Sequence, residues 1–135
     1  MTTGRILVVD DDEAIRVVIN EALTRDGHDV ALASSCSEMN QMLAQFTPDV
    51  LVTDVILPDG NGLDMIPSIL ASSPDMPVIV LSAQNTLSTA VRATEQGAFE
   101  YLPKPFDLDE LSRAVRDALK RSSTASKSVQ QDNPD

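Results

Sequence analysis

Basic residues are scarce in this chain: ten Lys and Arg stand against 21 Asp and Glu, a formal net charge of -11 over 135 residues. Arg121, Lys127, Asp132 and Asp135 cancel one another in the last fifteen positions, so the acidic excess lies in residues 1–120. A body of that sign repels nucleic acid, whose phosphates are held by clustered Lys and Arg. The expectation is no direct nucleic acid binding by this domain, so any action on DNA needs another one. Cysteine occurs once, and Cys36 cannot form an internal disulfide. A chain without disulfides suits a reducing compartment. Long hydrophobic runs are missing too. No apolar stretch approaches the roughly 18 residues of a membrane helix, and no signal-peptide pattern opens the chain. A cytoplasmic protein without membrane contact is expected. The single histidine, His28, follows Gly27 in a turn-like stretch and reads as structural rather than catalytic.

What is present is a rhythm. At 42% hydrophobic, a chain of this length buries the core of one ordinary domain. RILVVD (5–10), DVALA (29–33), DVLVTD (49–54), PVIVLS (77–82) and FEYLP (99–103) read as strands. Between them apolar residues recur at helical spacing: Ile15, Val18, Ile19, Ala22 and Leu23; Met39, Met42, Leu43 and Phe46; Leu63, Ile66, Ile69 and Leu70; a weaker stripe of Leu87, Ala90, Val91 and Thr94; and Leu108, Leu111, Val115, Ala118 and Leu119. That makes five βα units. Strands that are continuously apolar, rather than alternating, belong to a parallel sheet covered on both faces. Gly27 and Gly97 are placed to end helices, Asp107 to cap the last one, and Pro48 and Pro77 precede strands. From Arg121 the composition turns to SSTASKSVQQDNPD, polar and without apolar period. Residues 1–120 therefore read as the domain and 121–135 as a linker or disordered tail.

The polar residues fall at one kind of place. Asp10, Asp11 and Asp12 follow the first strand, Asp54 ends the third, Ser82 ends the fourth and Lys104 follows the fifth. Ligands of open parallel sheets bind in the crevice at the carboxyl ends of strands, so these residues are expected to converge. Adjacent carboxylates repel one another, and a hard cation such as Mg²⁺, which favours carboxylate and phosphate oxygens, relieves that repulsion. An Asp carboxylate is also a competent nucleophile toward phosphorus. Phosphoryl transfer asks the protein mainly for positioning and charge stabilisation.

VVDDDE near the start, DVILPDGNG around Asp54, VLSAQ at Ser82 and YLPKPF at Lys104 resemble the signatures of the bacterial response-regulator receiver domain, from residue 5 to about 120. The stretch GAFEYLPKPFDLDEL is most similar to the receiver of the nitrogen regulatory protein C group, which precedes a sigma-54-dependent ATPase and a DNA-binding helix-turn-helix. The resemblance implies a flavodoxin-like (βα)5 doubly wound sheet with strand order 2-1-3-4-5. It implies that Asp54 accepts a phosphoryl group from a histidine kinase. Asp10 and Asp11 become the acidic pair, with Asp11 the direct Mg²⁺ ligand and Asp10 acting through metal-bound water. The backbone carbonyl of Ile56 completes the protein ligands, beside Asp54 itself. Ser82 would bond one phosphoryl oxygen and Lys104 another, Tyr101 stands where an aromatic changes rotamer on activation, and the Lys104–Pro105 peptide would be cis. Implied partners are a sensor kinase, an output domain in the full-length protein and a second copy of the chain on phosphorylation.

Some residues keep two readings. Asp12 is either a solvated first-turn residue favoured by the helix dipole or a contributor behind the metal ligands. Leu87 and Val91 either face the core or form an exposed face of the fourth helix that changes on phosphorylation. Tyr101 is a switch or simple packing. Departures from the family pattern also stand out: Ser82 replaces a common Thr, and Leu57 a frequent Met. Ile56 and Gln84 flank the acceptor, where an apolar Ile cannot orient a water, so slow self-dephosphorylation is expected. Two other functions compete. One is a stand-alone receiver shuttling phosphoryl groups in a relay. The other is a haloacid dehalogenase-type phosphatase built on Asp10 and Asp12, which lacks both a cap and the late acidic pair.

Overall fold

Runs of β-branched residues pair side by side in the computed structural model of the chain, which describes residues 3–84 and 86–131, with side chains described as far as residue 121. The elements follow in the order β1 (Arg5–Val9), α1 (Glu13–Arg25), β2 (Asp29–Ala33), α2 (Cys36–Phe46), β3 (Val50–Asp54), β4 (Ile56–Leu57), β5 (Gly60–Asn61), α3 (Gly62–Ser72), β6 (Val78–Ser82), α4 (Leu87–Glu95), β7 (Glu100–Pro103) and α5 (Leu108–Gln131). The main sheet is parallel throughout, in the order β2-β1-β3-β6-β7. Counted over these five strands alone, that is the 2-1-3-4-5 order of the flavodoxin-like fold. The antiparallel hairpin β4–β5 was not expected; its strands are two residues each, too short for any periodicity to register.

Continuously apolar strands do bury both faces. Leu7, Val9, Leu51, Val78 and Val80 pack with Met39 of α2, Leu63, Ile66 and Ile69 of α3 and Ala93 of α4. On the other face Ile6, Val8, Val50, Val52, Ile79 and Leu81 meet Ile19 and Leu23 of α1 and Leu111, Val115 and Ala118 of α5. Each of the Val, Leu, Ile and Met side chains contributes roughly 1.5–3 kcal/mol when fully buried. Helix ends follow the expected chemistry. Gly27 and Gly97, at φ +96° and +102°, sit just past α1 and α4, where a left-handed residue closes the last turn. At the start of α5 the bond runs the other way from the expected cap: the Glu110 carboxylate accepts the Asp107 N–H at 3.2 Å.

Two findings qualify the sequence reading. Leu87 and Val91 do not face the core: they are 81% and 47% exposed. Ala93 is the buried residue of α4, and at 100° per residue it lies about 200° around the helix from Val91, so burying the one turns the other outward. The second concerns α5, whose backbone continues to Gln131, through positions expected as linker or tail; residues 132–135 of that segment lie outside the described residues. His28 is buried, and its Nδ1 accepts the Gly4 N–H at 3.2 Å. Burial lowers its pKa, as suits a neutral residue tying the entry of β1 to that of β2.

Candidate functional site

The sheet register decides what meets what. Val9 pairs with Thr53, Asp54 with Leu81 and Ser82 with Pro103. Asp10, Asp54, Ser82 and Lys104 therefore arrive together at the carboxyl edge. Asp10 is fully buried and Asp54 nearly so. Lys104 Nζ donates to Asp10 Oδ2 at 2.8 Å and to Asp54 Oδ2 at 3.0 Å. The other oxygens are held by the main chain: Asp10 Oδ1 accepts the Asp12 N–H at 2.9 Å, and Asp54 Oδ1 accepts the Val55 N–H at 2.8 Å. Both carboxylates are thus fixed at two points. The Lys104 N–H donates to Ser82 O at 2.7 Å, and the Lys104–Pro105 peptide is cis.

Asp11 is exposed, and carboxylate oxygens of Asp10, Asp11 and Asp54 all lie within 4.8 Å of one another. Three carboxylates face one ammonium there. The two negative charges left over, on oxygen donors only, match a hard divalent cation. Burial pushes the Asp54 pKa up, and the nearby Asp10 charge adds to it, against the Lys104 hydrogen bond. Burial works against the Lys104 charge as well, but the hydrogen bonds to Asp10 and Asp54 prevail and raise its pKa. A carboxyl that burial makes harder to ionise thus sits beside a firmly charged lysine.

The remaining candidates divide. Asp12 is the N-cap of α1, where its Oδ1 accepts the Ala14 and Ile15 N–H groups at 2.9 and 3.3 Å. It reaches the cluster through its main-chain N–H rather than its carboxylate. Ser82 is 1% exposed, and its Oγ accepts the Gln84 N–H at 2.9 Å. Tyr101 OH donates to Gln84 O at 2.8 Å. Ser82 and Tyr101 thus meet on the main chain of one residue, Gln84. Ile56 lies two residues beyond Asp54 in β4, with its side chain 53% exposed. Leu57 is buried.

Two supports escaped the sequence reading. The Gly62 N–H donates to Val55 O at 2.6 Å, and a Cβ at this position would collide with the Asp54 carbonyl oxygen. Only glycine permits that approach. Asp59, at the tip of the β4–β5 hairpin, accepts the Cys36 and Ser37 N–H groups at 2.7 and 3.0 Å and so ties the loop after Asp54 to the start of α2. Glycines in PDGNG signalled the turn; nothing local signalled a cap 23 residues away. Cys36 itself is buried, and burial with the Asp59 charge pushes its thiol pKa up, which fits an unreactive residue.

Residues 6–116 match the family model of the response regulator receiver domain. The chain belongs to that family. The receiver is 54% identical over 119 residues to the DNA-binding transcriptional regulator NtrC of Azospirillum brasilense, covering 88% of this chain and 25% of that protein. It is 46% identical over 135 residues to NtrC of Rhizobium meliloti (strain 1021), covering 100% of this chain and 28% of that one. It thus spans about a quarter of the length of these relatives. Among solved structures it is similar to NtrX from Brucella abortus, with a TM-score of 0.89 at 27% identity, covering 96% of this chain and 29% of that one. It is also similar to the beryllofluoride-activated NtrC4 receiver domain dimer, with a TM-score of 0.83 at 34% identity, covering 87% and 98%. A receiver is a signalling domain rather than a conventional enzyme. Membership leaves the dehalogenase-type reading without support: the second carboxylate of its pair, Asp12, caps a helix.

Proposed function

We propose that this receiver takes a phosphoryl group from the phosphohistidine of a sensor histidine kinase onto Asp54, and that the modification regulates an attached output domain. The observation that carries the reading is Lys104 Nζ bridging the buried Asp10 and Asp54 at 2.8 and 3.0 Å. In the transfer an Asp54 oxygen forms the O–P bond as the P–N bond breaks, and the imidazole keeps the bonding pair. Burial that raises the Asp54 pKa makes its carboxylate the more basic nucleophile. Asp11, Asp54 and the Ile56 carbonyl would hold Mg²⁺, with Asp10 acting through water. Bound there, the ion supplies charge neutralisation between carboxylates and phosphoryl oxygens. Lys104 then pairs with one phosphoryl oxygen, and the Ser82 hydroxyl leaves Gln84 for another. Because Tyr101 shares Gln84, the new bonds favour a different arrangement of Tyr101 and α4, which is a population shift.

The identities to NtrC proteins support a sigma-54-dependent transcription activator in nitrogen regulation as the full-length protein, and the activated NtrC4 receiver dimer supports homodimerisation on phosphorylation. The net charge of -11 supports leaving DNA contact to another domain. No helix among the described residues is long and apolar enough to cross a membrane, which accords with a cytoplasmic setting. The relay-shuttle reading is weaker, since the matched regulators extend well beyond the matched segment. Incubation with Mg²⁺ and acetyl phosphate tests the assignment: mass spectrometry should find a labile adduct on Asp54, lost in Asp54→Asn and on chelation. An adduct on Asp10 with Asp54 untouched would overturn it.

A further inference from the structure

We infer that Arg16 is a positioning residue for the acid cluster, clamping the main chain on either side of Asp11 so that its carboxylate faces a divalent cation. The inference rests on the receiver reading above and extends it to a residue outside the ligand set. Arg16 lies half-buried on α1, four residues past the N-cap Asp12. Its Nη1 donates to the Asp10 carbonyl oxygen at 2.6 Å, and its own N–H donates to the Asp12 carbonyl oxygen at 3.0 Å. One residue thus holds the Asp10–Asp11 peptide and the Asp12–Glu13 peptide, which bracket the Asp11–Asp12 segment. The Asp11 side chain is exposed, so burial does not orient it, and the direction of its carboxylate follows from the main chain that Arg16 holds. The same contact bears on Asp10, whose Oδ1 is bonded to the Asp12 N–H inside this turn.

The sign of the effect separates positioning from bare electrostatics. A guanidinium beside an acidic site repels a divalent cation, so on charge alone its removal tightens metal binding. Loss of a positioning contact does the opposite, and supports behind metal ligands typically contribute about 10–100-fold in affinity. Lysine keeps the charge but not the planar fork. The chain should therefore be titrated with Mg²⁺ by calorimetry as wild type, Arg16→Ala and Arg16→Lys. Arg16→Ala should bind about tenfold more weakly, the low end of that range, with Arg16→Lys between it and wild type. With acetyl phosphate at saturating Mg²⁺, the rate for Arg16→Ala should return to within about twofold of wild type, because the loss lies in affinity. Equal or tighter Mg²⁺ binding by Arg16→Ala overturns the inference alone; absence of binding by wild type overturns the receiver reading along with it. If circular dichroism finds Arg16→Ala unfolded, Arg16→Lys decides: wild-type affinity overturns the inference, and weaker binding by the folded variant supports it.

Discussion

Helices α3 and α4 cover the same face of the sheet and succeed one another in the chain, yet they are held in place by different forces. α3 buries Gly62, Leu63, Ile66 and Ile69, and it starts at the glycine pressed against Asp54. α4 buries Ala93 alone and leaves Leu87 and Val91 in solvent. Polar contacts hold it instead: an Arg92–Asp64 ion pair to α3, with both side chains about half exposed, and a Thr86 cap that accepts the Thr89 N–H at 3.3 Å. Apolar burial is indifferent to small electrostatic changes, whereas exposed ion pairs and caps are individually weak. The difference separates a rigid platform that presents Asp54 from a neighbour that moves at small cost, the low-stability element a switch requires.

The hardest test of that contrast falls on α3. Ile66→Ala should destabilise the fold by about 2–5 kcal/mol, the range for deleting a fully buried aliphatic side chain, as read by urea unfolding. A loss below about 1 kcal/mol would mean that α3 is no better anchored than α4. Asp54→Asn probes the platform from the other side and should stabilise the metal-free protein, because burial and the nearby Asp10 charge disfavour the Asp54 carboxylate. The sign follows from linkage. A carboxyl whose folded pKa lies above its unfolded value favours the protonated folded state, so wild-type stability falls as pH rises from the ordinary Asp range through the raised folded value. The advantage of Asp54→Asn in melting temperature should therefore grow across that acidic window and then level off. Lys104 shifts upward too; its contribution is complete below the ordinary lysine range and is lost only as pH rises through the higher folded value.

Smaller effects belong to α4. Arg92→Ala should cost about 0.2–1 kcal/mol, as exposed ion pairs do, and hydrogen exchange should speed up in α4 while α3 stays protected; equal acceleration in both helices would contradict the contrast. Leu87→Ser, at the most exposed apolar position of α4, should change global stability by less than about 0.5 kcal/mol but reduce dimer formation in the presence of beryllofluoride, measured by light scattering. Unchanged dimerisation would mean that the exposed apolar face of α4 takes no part in it.

Much of this was legible because it is local. Continuous apolar runs such as ILVV and VIVL mark strands buried on both faces, and the 3.6 period of Ile15, Ile19 and Leu23 marks a helix; neither needs knowledge of the rest of the chain. Alternation of the two imposes a parallel sheet with right-handed crossovers, which sends Asp10, Asp54, Ser82 and Lys104 to one edge. The stripe of α4 misled because periodicity defines an apolar face without saying whether anything covers it. The sequence placed Gln84 beside the acceptor but not its link to Ser82 and Tyr101, because its main-chain N–H donates to Ser82 and its C=O accepts from Tyr101, with no part for its side chain.

By itself the sequence determined the number of βα units, their order and the identity of the charged groups at the strand ends, because these follow from backbone propensity and from patterns within about fifteen residues. Tertiary structure alone decided that one ammonium bridges Asp10 and Asp54, 94 and 50 residues away, that Arg16 turns back on the Asp10 carbonyl, and that α4 shows its apolar side to water. Such contacts depend on strand register and on which helix face wins the core, and both are settled only when every element competes for the same buried volume.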